Sequence, residues 1–268
     1  MSAGDDAALS SNSVRVERAG GLAVLTFDSP PLNLLDRAMS DAIASAIAGL
    51  EADLPRALLV RAEGRVVSGG VDVALFAEHA GSAEATVLLA SLLALSEGLE
   101  ALPCPTVFAA HALCLTWAFE LALACDIILA AESAKFGLVE RVIGLTPTMG
   151  GTQRIAERAG SGRARELVMT GALYPAATLE RWNVVNRVLP DEGFDAAARA
   201  FVAELADGPT CAHGVTKRVC ADFREGGVAR ADERVVARAA ALFDSDDLQA
   251  AVRSFLDEGP GRARFSGR

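Results

Sequence analysis

Histidine and cysteine are scarce in this sequence of 268 residues, which has three histidines and five cysteines. The histidines are far apart, and no two cysteines have the C-x-x-C spacing of zinc and redox motifs. The sequence therefore predicts no metal site. An odd number of cysteines, several in apolar segments, favours buried and reduced thiols over disulfides, as in a cytoplasmic protein. The residues concerned are His79, His111 and His213, and Cys104, Cys114, Cys125, Cys211 and Cys220.

Three common functional motifs are also missing. The sequence has no G-x-x-x-x-G-K-[ST], no G-x-G-x-x-G after a predicted strand and no G-x-S-x-G. Such motifs bind phosphates or dinucleotides, or place a serine nucleophile on a sharp turn. The sequence thus gives no support for nucleotide binding by those routes or for serine hydrolase chemistry of that type.

Positive charge is in deficit, and the formal net charge is −10 at pH 7. We therefore expect no nucleic acid partner, because such partners are bound by an excess of lysine and arginine. The N-terminus, MSAGDDAALSSNS, lacks the basic start and apolar stretch of a signal peptide, and we expect residues 1–13 to form a disordered lead. No apolar segment reaches the ~18 uninterrupted residues of a membrane span. These features predict a cytoplasmic protein with no membrane partner.

Strands and helices alternate over the first part of the chain. Residues 14–17 and 22–27 predict a hairpin around Gly20, and Asp36 is placed to cap a helix over residues 38–52. Further strands are predicted at residues 56–61, 106–110 and 126–130, with helices at residues 84–100 and through Glu120. This alternation predicts an α/β fold with a mainly parallel sheet.

The last third of the chain has a different character. Helices are predicted at residues 163–170, 176–181, 195–206, 211–223, 230–243 and 245–256, with one strand at 184–189. We therefore divide the chain into an α/β core, residues 14–195, and a C-terminal helical region, residues 196–268. Apolar helix faces in this region predict packing on another subunit.

The segment HALCLTWAFELALACDI, residues 111–127, contains a glutamate, Glu120, in the middle of an apolar run. A carboxylate in such surroundings is usually paired, protonated or exposed in a cavity. Glu120 is thus either a member of a structural salt bridge or a catalytic group. The same alternatives hold for Glu140, with Arg141, Arg154 and Arg158 as candidate ion-pair partners.

Four segments together resemble the crotonase family, also called the enoyl-CoA hydratase/isomerase superfamily. The resemblance covers the chain from about Val14 to the closing FSGR. It implies a crotonase-like spiral of ββα units, an acyl-CoA thioester substrate, and a homotrimer or dimer of trimers formed through the C-terminal helical region. It implies no cofactor, since coenzyme A is part of the substrate. The segments are PPLNLLD (30–36), GRVVSGGVD (64–72), residues 111–127, and AKFGLVERVIGLTPTMGGTQR (134–154) with its continuation to residue 190.

The resemblance also implies an oxyanion hole, a pair of backbone N–H groups that bind the thioester oxygen as it gains charge. One donor falls on Val71, which follows Gly70, and the other on Trp117 at a helix N-terminus. Three family glycines are replaced here by Thr116-Trp117-Ala118. The indole of Trp117 either packs in the core or lines the acyl pocket, and a distorted hole is a third possibility.

The remaining roles follow from the same resemblance. Glu120 and Glu140 correspond to the two acid/base groups of hydratases, which favours addition of water to a 2-enoyl-CoA. Gly69 and Gly70 would let the backbone approach the substrate, and Asp72 follows them, either near the substrate or as a helix cap. Two alternatives stay open: an enoyl-CoA isomerase that uses Glu140 alone, and a non-catalytic acyl-CoA-binding homologue.

Overall fold

The computed structural model describes residues 10–11, 13–77 and 81–268. Most of the predicted lead, residues 1–13, lies outside this part of the chain, as does His79. Within the lead, Ser10–Ser11 form a short strand that pairs with the strand beginning at Val14.

Ten strands are found in the described residues: β1 (Ser10–Ser11), β2 (Val14–Ala19), β3 (Leu22–Phe27), β4 (Ala57–Ala62), β5 (Thr106–Ala110), β6 (Cys114–Leu115), β7 (Ile127–Ala131), β8 (Lys135–Gly137), β9 (Tyr174–Pro175) and β10 (Arg187–Leu189). The main sheet has the order β1-β2-β3-β4-β5-β7-β10. Strands β1 to β3 are antiparallel, which confirms the predicted hairpin, and all neighbours from β3 to β10 are parallel. The central strands are buried on both faces, as apolar sequences such as TVFAA require.

The helices of the described chain are α1 (Arg37–Ala52), α2 (Ala74–Ala77), α3 (Ser82–Ala101), α4 (Trp117–Ala124), α5 (Gly151–Ala159), α6 (Ser161–Thr170), α7 (Ala176–Arg181), α8 (Phe194–Ala206), α9 (Thr210–Ala240) and α10 (Asp246–Glu258). The predicted cap of α1 is present, because Asp36 Oδ1 accepts a hydrogen bond from Met39 N at 2.7 Å. The buried face of this helix includes Met39, Ile43 and Leu50.

A second, smaller sheet positions the segments of interest here. It has the order β6-β8-β9, with β6 and β8 parallel. The chain leaves β5, passes through β6 and enters α4; it leaves β7, passes through β8 and enters a 3₁₀ turn at Glu140–Ile143. This repetition places the start of α4 and the turn that contains Glu140 beyond the carboxyl ends of neighbouring parallel strands.

Two details of the C-terminal part differ from the prediction. The strand predicted at residues 184–189 is limited to β10, because Val184 N and Val185 N both donate to Leu179 O and Asn183 has a left-handed backbone, φ 61°. The two helices predicted at residues 211–223 and 230–243 are the two halves of α9, which bends at Gly226 and Gly227.

The boundary predicted between residues 195 and 196 falls inside α8. This helix packs against β3, β4 and β5 of the main sheet, so its residues belong to the core by their contacts. The helices that follow, α9 and α10, form the C-terminal helical region.

One helix in the described chain, α3, is long and apolar enough to cross a membrane by length and composition alone. Core helices of globular proteins meet the same criterion, and in α3 28% of the most apolar window is buried. Leu88, Leu92, Leu95 and Leu99 of α3 are buried in this fold, and the helix contacts α1 and α4.

Candidate active site

The first candidate donor, Val71, lies in an extended segment beside Leu35. Leu35 N donates to Gly70 O at 3.1 Å, and Asp72 N donates to Leu35 O at 3.0 Å. Leu35 therefore bonds the residues on both sides of Val71, and the Val71 N–H points the other way. It has no acceptor in the described part of the chain.

The second candidate donor, Trp117, is the first residue of α4. Thr116 before it has φ 48° and ψ −117°, a conformation that turns the chain sharply into the helix. The first N–H groups of a helix have no partner within the helix and carry the positive end of its dipole. Among the described residues, the Trp117 N–H has no hydrogen-bond acceptor.

Backbone hydrogen bonds hold these two turns side by side. Val67 N and Ser68 N donate to Leu113 O at 2.8 and 3.1 Å, and Leu115 N donates to Ser68 O at 3.2 Å. Gly70, with φ 118°, is a direct neighbour of Thr116, since a Cβ on the glycine would be in ordinary contact with Thr116 Oγ1 at 3.5 Å. The structure thus brings together two segments that are far apart in the sequence.

The indole of Trp117 is in the core. The side chain is fully buried, its Nε1–H donates to Asn33 O at 3.2 Å, and its ring meets Phe27 edge-to-face with the centroids 4.9 Å apart. The amide of Asn33 donates in turn to Val66 O and Val67 O at 3.0 and 3.2 Å. Of the two positions considered for the indole, the structure has the buried one, and it links the start of α4 to the segment that leads into Val71.

Glu120 is buried, and its carboxyl group is held by the backbone. Oε2 accepts hydrogen bonds from Met149 N at 2.8 Å and Gly151 N at 2.7 Å. Burial raises the pKa of Glu120 to about 8; the neighbouring charge of Glu140 also raises it, and the two backbone bonds act in the opposite direction. The segment that leads to Glu140 lies beside Glu120, since a Cβ on Gly151 would lie 2.9 Å from Glu120 Cγ and 3.0 Å from Cδ1 of Leu138, two residues before Glu140.

Glu140 begins the 3₁₀ turn that follows β8. Both of its carboxyl oxygens are buried, and neither has a hydrogen-bond partner in the described residues. Burial raises the pKa of Glu140 to about 7. Two carboxyl groups with raised pKa values in one buried region are the pattern expected of an acid/base pair.

The arginines considered as structural partners are engaged elsewhere. Arg154 pairs with Glu100, with Nη2 and Oε2 2.7 Å apart. Arg141 donates to Thr170 O at 2.7 Å, and Arg158 donates to Cys125 O at 2.7 Å. Within the described chain, neither Glu120 nor Glu140 has a salt bridge.

Gly69 and Asp72 make structural contacts next to the first donor. Asp72 Oδ1 accepts from Ala74 N at 3.0 Å, which is the cap expected at the start of α2. Gly69 N donates to Leu32 O at 2.7 Å, and a Cβ on Gly69 would lie 3.1 Å from Leu32 Cβ. The close packing of these two backbone segments explains why a glycine is present at position 69.

Several contributors to the site carry no side-chain signal in the sequence. The N–H groups of Met149 and Gly151 bind Glu120 through the backbone, and Asn33 acts on both donor segments from a distant loop. Gly151 itself permits this contact, since a Cβ there would lie 2.9 Å from Glu120 Cγ. In the sequence, the pair Gly150-Gly151 is the signal that could have pointed to a close backbone approach here.

Other features lie outside this site. A cavity of about 260 Å³ is lined by residues that include Arg61, His111 and Asp195; Arg61 pairs with Asp195 at 2.8 Å, and His111 Nε2 lies 2.9 Å from Gly64 O. No group of three or more histidine, cysteine or acidic residues in the described chain is placed to hold a metal ion.

Comparison with known proteins places this geometry in context. The family described as enoyl-CoA hydratase/isomerase matches residues 17–264. A Rhizobium meliloti protein named "Probable enoyl-CoA hydratase" is 33% identical over 72% of this chain and 75% of its own length. A Bacillus subtilis protein of the same name is 28% identical over 88% of this chain and 93% of its own length. The crystal structure of an enoyl-CoA hydratase subunit I from Geobacillus kaustophilus superposes with a TM-score of 0.87, at 27% identity, over 96% of this chain and 98% of that one.

Proposed function

This chain is an enzyme of the enoyl-CoA hydratase/isomerase family, and on that premise we propose that it adds water reversibly to the double bond of a 2-enoyl-CoA thioester. The predicted fold class, a crotonase-like arrangement with a mainly parallel sheet and a C-terminal helical region, is confirmed. The proposal concerns the reaction, the residues that perform it and the substrate class.

The N–H groups of Val71 and Trp117 bind the thioester oxygen in this proposal. Addition of water at the β-carbon makes the thioester enolate-like, and negative charge develops on its oxygen. Two N–H groups that have no other acceptor among the described residues, one of them at a helix N-terminus, stabilise that charge. Loss of one such donor in other enzymes costs about 2.7–4 kcal/mol of transition-state stabilisation.

Glu120 and Glu140 handle the protons. The oxygen of water forms a bond to the β-carbon, a carboxylate takes a proton from that water, and a carboxylic acid delivers a proton to the α-carbon. With pKa values of about 8 and about 7, the pair carries about one proton at a pH midway between these two values. The site therefore holds one acid and one base at the same time.

One observation carries the preference for hydration: Glu120 is a buried carboxyl group with a raised pKa, two backbone N–H groups donate to it, and it forms no salt bridge within the described residues. An isomerase that shuttles a proton through Glu140 alone gives Glu120 no function. A non-catalytic binder has no use for two carboxyl groups near neutral pKa. The conformation of Thr116 also keeps the turn into α4 sharp although the glycines are gone.

The wider proposal follows the family. We propose an acyl-CoA thioester substrate, no separate cofactor and a cytoplasmic location, with Gly69, Gly70 and Asp72 beside the thioester. Assembly into a homotrimer or dimer of trimers is supported by apolar side chains that are exposed in the single chain. In α9, in α10 and in the turn between them these are Phe223, Val228, Val236, Phe243, Val252, Phe255 and Leu256.

Loss of enoyl absorbance with crotonyl-CoA, and then with longer and aromatic 2-enoyl-CoAs, tests the reaction. We expect Glu120→Gln and Glu140→Gln each to lower kcat by roughly 10²- to 10⁴-fold, the usual contribution of acid/base groups. Glu204→Gln, on the exposed side of α8, is the matched control and should be unaffected. Hydration that survives Glu120→Gln, or isomerisation of a 3-enoyl-CoA by that variant at the wild-type rate, refutes the assignment.

A further inference from the structure

We infer that the hydroxyl group of Thr116 is a third hydrogen-bond donor to the thioester oxygen, in addition to the backbone donors of Val71 and Trp117. This inference rests on the proposed function, because it assigns a further role in the same oxyanion hole. Thr116 is one of the residues that replace family glycines, so the role is particular to chains with a hydroxyl side chain at this position.

Burial and the lack of a partner point to a ligand. Thr116 is 5% exposed, and its Oγ1 is buried without any hydrogen-bond partner in the described residues. A hydroxyl group in such a position is costly unless something completes its hydrogen bonding. An oxygen atom bound between the two backbone donors would provide the missing acceptor.

The position of the hydroxyl group fits that acceptor. Thr116 Oγ1 would lie 3.5 Å from a Cβ on Gly70, and Gly70 directly precedes the donor Val71. Thr116 itself directly precedes the donor Trp117. The hydroxyl group thus lies where the two donor turns meet.

Backbone strain gives independent support. Thr116 has φ 48° and ψ −117°, a region that glycine adopts readily and a β-branched residue avoids. Strained residues of this kind concentrate at functional sites. A threonine in place of glycine makes this turn less favourable, and the hydroxyl group that it adds at the junction of the two donor turns is a functional reason for the residue to be kept.

Isosteric substitution tests the inference. Thr116→Val removes the hydroxyl group and keeps the shape, and we expect kcat/KM for a 2-enoyl-CoA to fall at least about tenfold, with most of the loss in kcat. Thr116→Ser, which keeps the hydroxyl group, should recover a large part of that loss. Thr26→Val is the matched control, since Thr26 Oγ1 is also buried and has no hydrogen-bond partner in the described residues, but lies in strand β3.

Binding and spectroscopy separate this inference from the proposed reaction. Acetoacetyl-CoA can form an enolate at the same oxygen without turnover, so its Kd and enolate absorbance report on the hole even if no substrate is hydrated. We expect Thr116→Val to weaken this binding several-fold and to raise the carbonyl stretching frequency of the bound thioester, while Thr26→Val changes neither. The same kinetics, affinity and carbonyl frequency in Thr116→Val and wild type would overturn the inference, whether or not the hydratase proposal stands.

Discussion

Gly151 is the position where one added methyl group should disable the site while the fold is kept. In Gly151→Ala the new Cβ would lie 2.9 Å from Glu120 Cγ, 3.1 Å from Glu120 Oε2 and 3.0 Å from Leu138 Cδ1. The backbone φ at Gly151 is not in the left-handed region, so the helix α5 itself tolerates alanine. The side chain of Glu120 has to move instead, and its 2.7 Å bond from Gly151 N is lengthened or lost.

The size of the effect follows from that bond. A hydrogen bond contributes about 1 kcal/mol when the group is neutral and about 1.5–3 kcal/mol when it is charged. Because Glu120, with a pKa of about 8, takes both forms over the assay range, we expect kcat to fall roughly 5- to 150-fold. Overpacking a buried position costs about 1–3 kcal/mol of unfolding free energy, which a domain of this size can withstand. The pKa of Glu120 should also rise above about 8, because the bond from Gly151 lowers it, and the corresponding limb of the pH–rate profile should move to higher pH.

The assay is steady-state hydration of a 2-enoyl-CoA between pH 5 and pH 10, with thermal unfolding and circular dichroism measured in parallel. Gly162→Ala is the matched control. Gly162 lies in the neighbouring helix α6, and a Cβ there meets no atom within 4 Å, so this variant should keep full activity and gain a little helix stability. If Gly151→Ala keeps kcat within about twofold and the pH limb does not move, the backbone contact with Glu120 has no catalytic role.

Three further predictions concern stability. The raised pKa of Glu120 means that the folded state binds a proton more tightly than the unfolded state. Ionisation of this residue therefore lowers the free energy of unfolding as the pH rises from about 4.5 to about 8. Glu120→Gln should raise the Tm at pH 8.5 and leave it nearly unchanged at pH 4. Trp117→Phe keeps an aromatic ring at this position but leaves the buried carbonyl of Asn33 without its donor, so urea unfolding should show a loss of about 1–3 kcal/mol, against about 3–5 kcal/mol for the cavity in Trp117→Ala. Asp222 binds Arg234 and Arg238, which lower its pKa to about 2; Asp222→Asn should be less stable to urea at pH 7, and the difference from wild type should disappear as the pH falls from about 4 to 2.

Most of the fold could be predicted from the sequence because its signals are local. The glycines between β2 and β3, the capping Asp36 and the apolar spacing of α1 each act within a few residues. The strand predicted from Val184 was too long. Val184 N and Val185 N instead donate hydrogen bonds to Leu179 O in α7, and Asn183 before them has a left-handed backbone conformation. That competition depends on backbone geometry, and a run of valines gives no indication of it.

The site was only partly predictable, for a related physical reason. Glu120 stands out because a carboxyl group interrupts an apolar run, and the resemblance to a family points to Glu140, Val71 and Trp117. The groups that bind the Glu120 carboxyl are backbone N–H groups. Every residue except proline has one, so the residue types in the sequence do not predict which of them bind Glu120. The direction of the Trp117 indole depends on Asn33, a residue 84 positions away in the chain.

The placement of Trp117 and Glu120 on one helix limits where the reaction can occur along a substrate. They are three residues apart in α4, which corresponds to a rise of about 4.5 Å along the axis. In the proposed mode, the anchoring point of the thioester oxygen and a proton-transfer group therefore move together as one rigid unit. Glu120 can therefore contact only substrate carbons close to the thioester, whatever the length of the acyl chain. Preference for one acyl chain over another can then change through residues outside this helix while the distance between anchor and acid/base group stays the same.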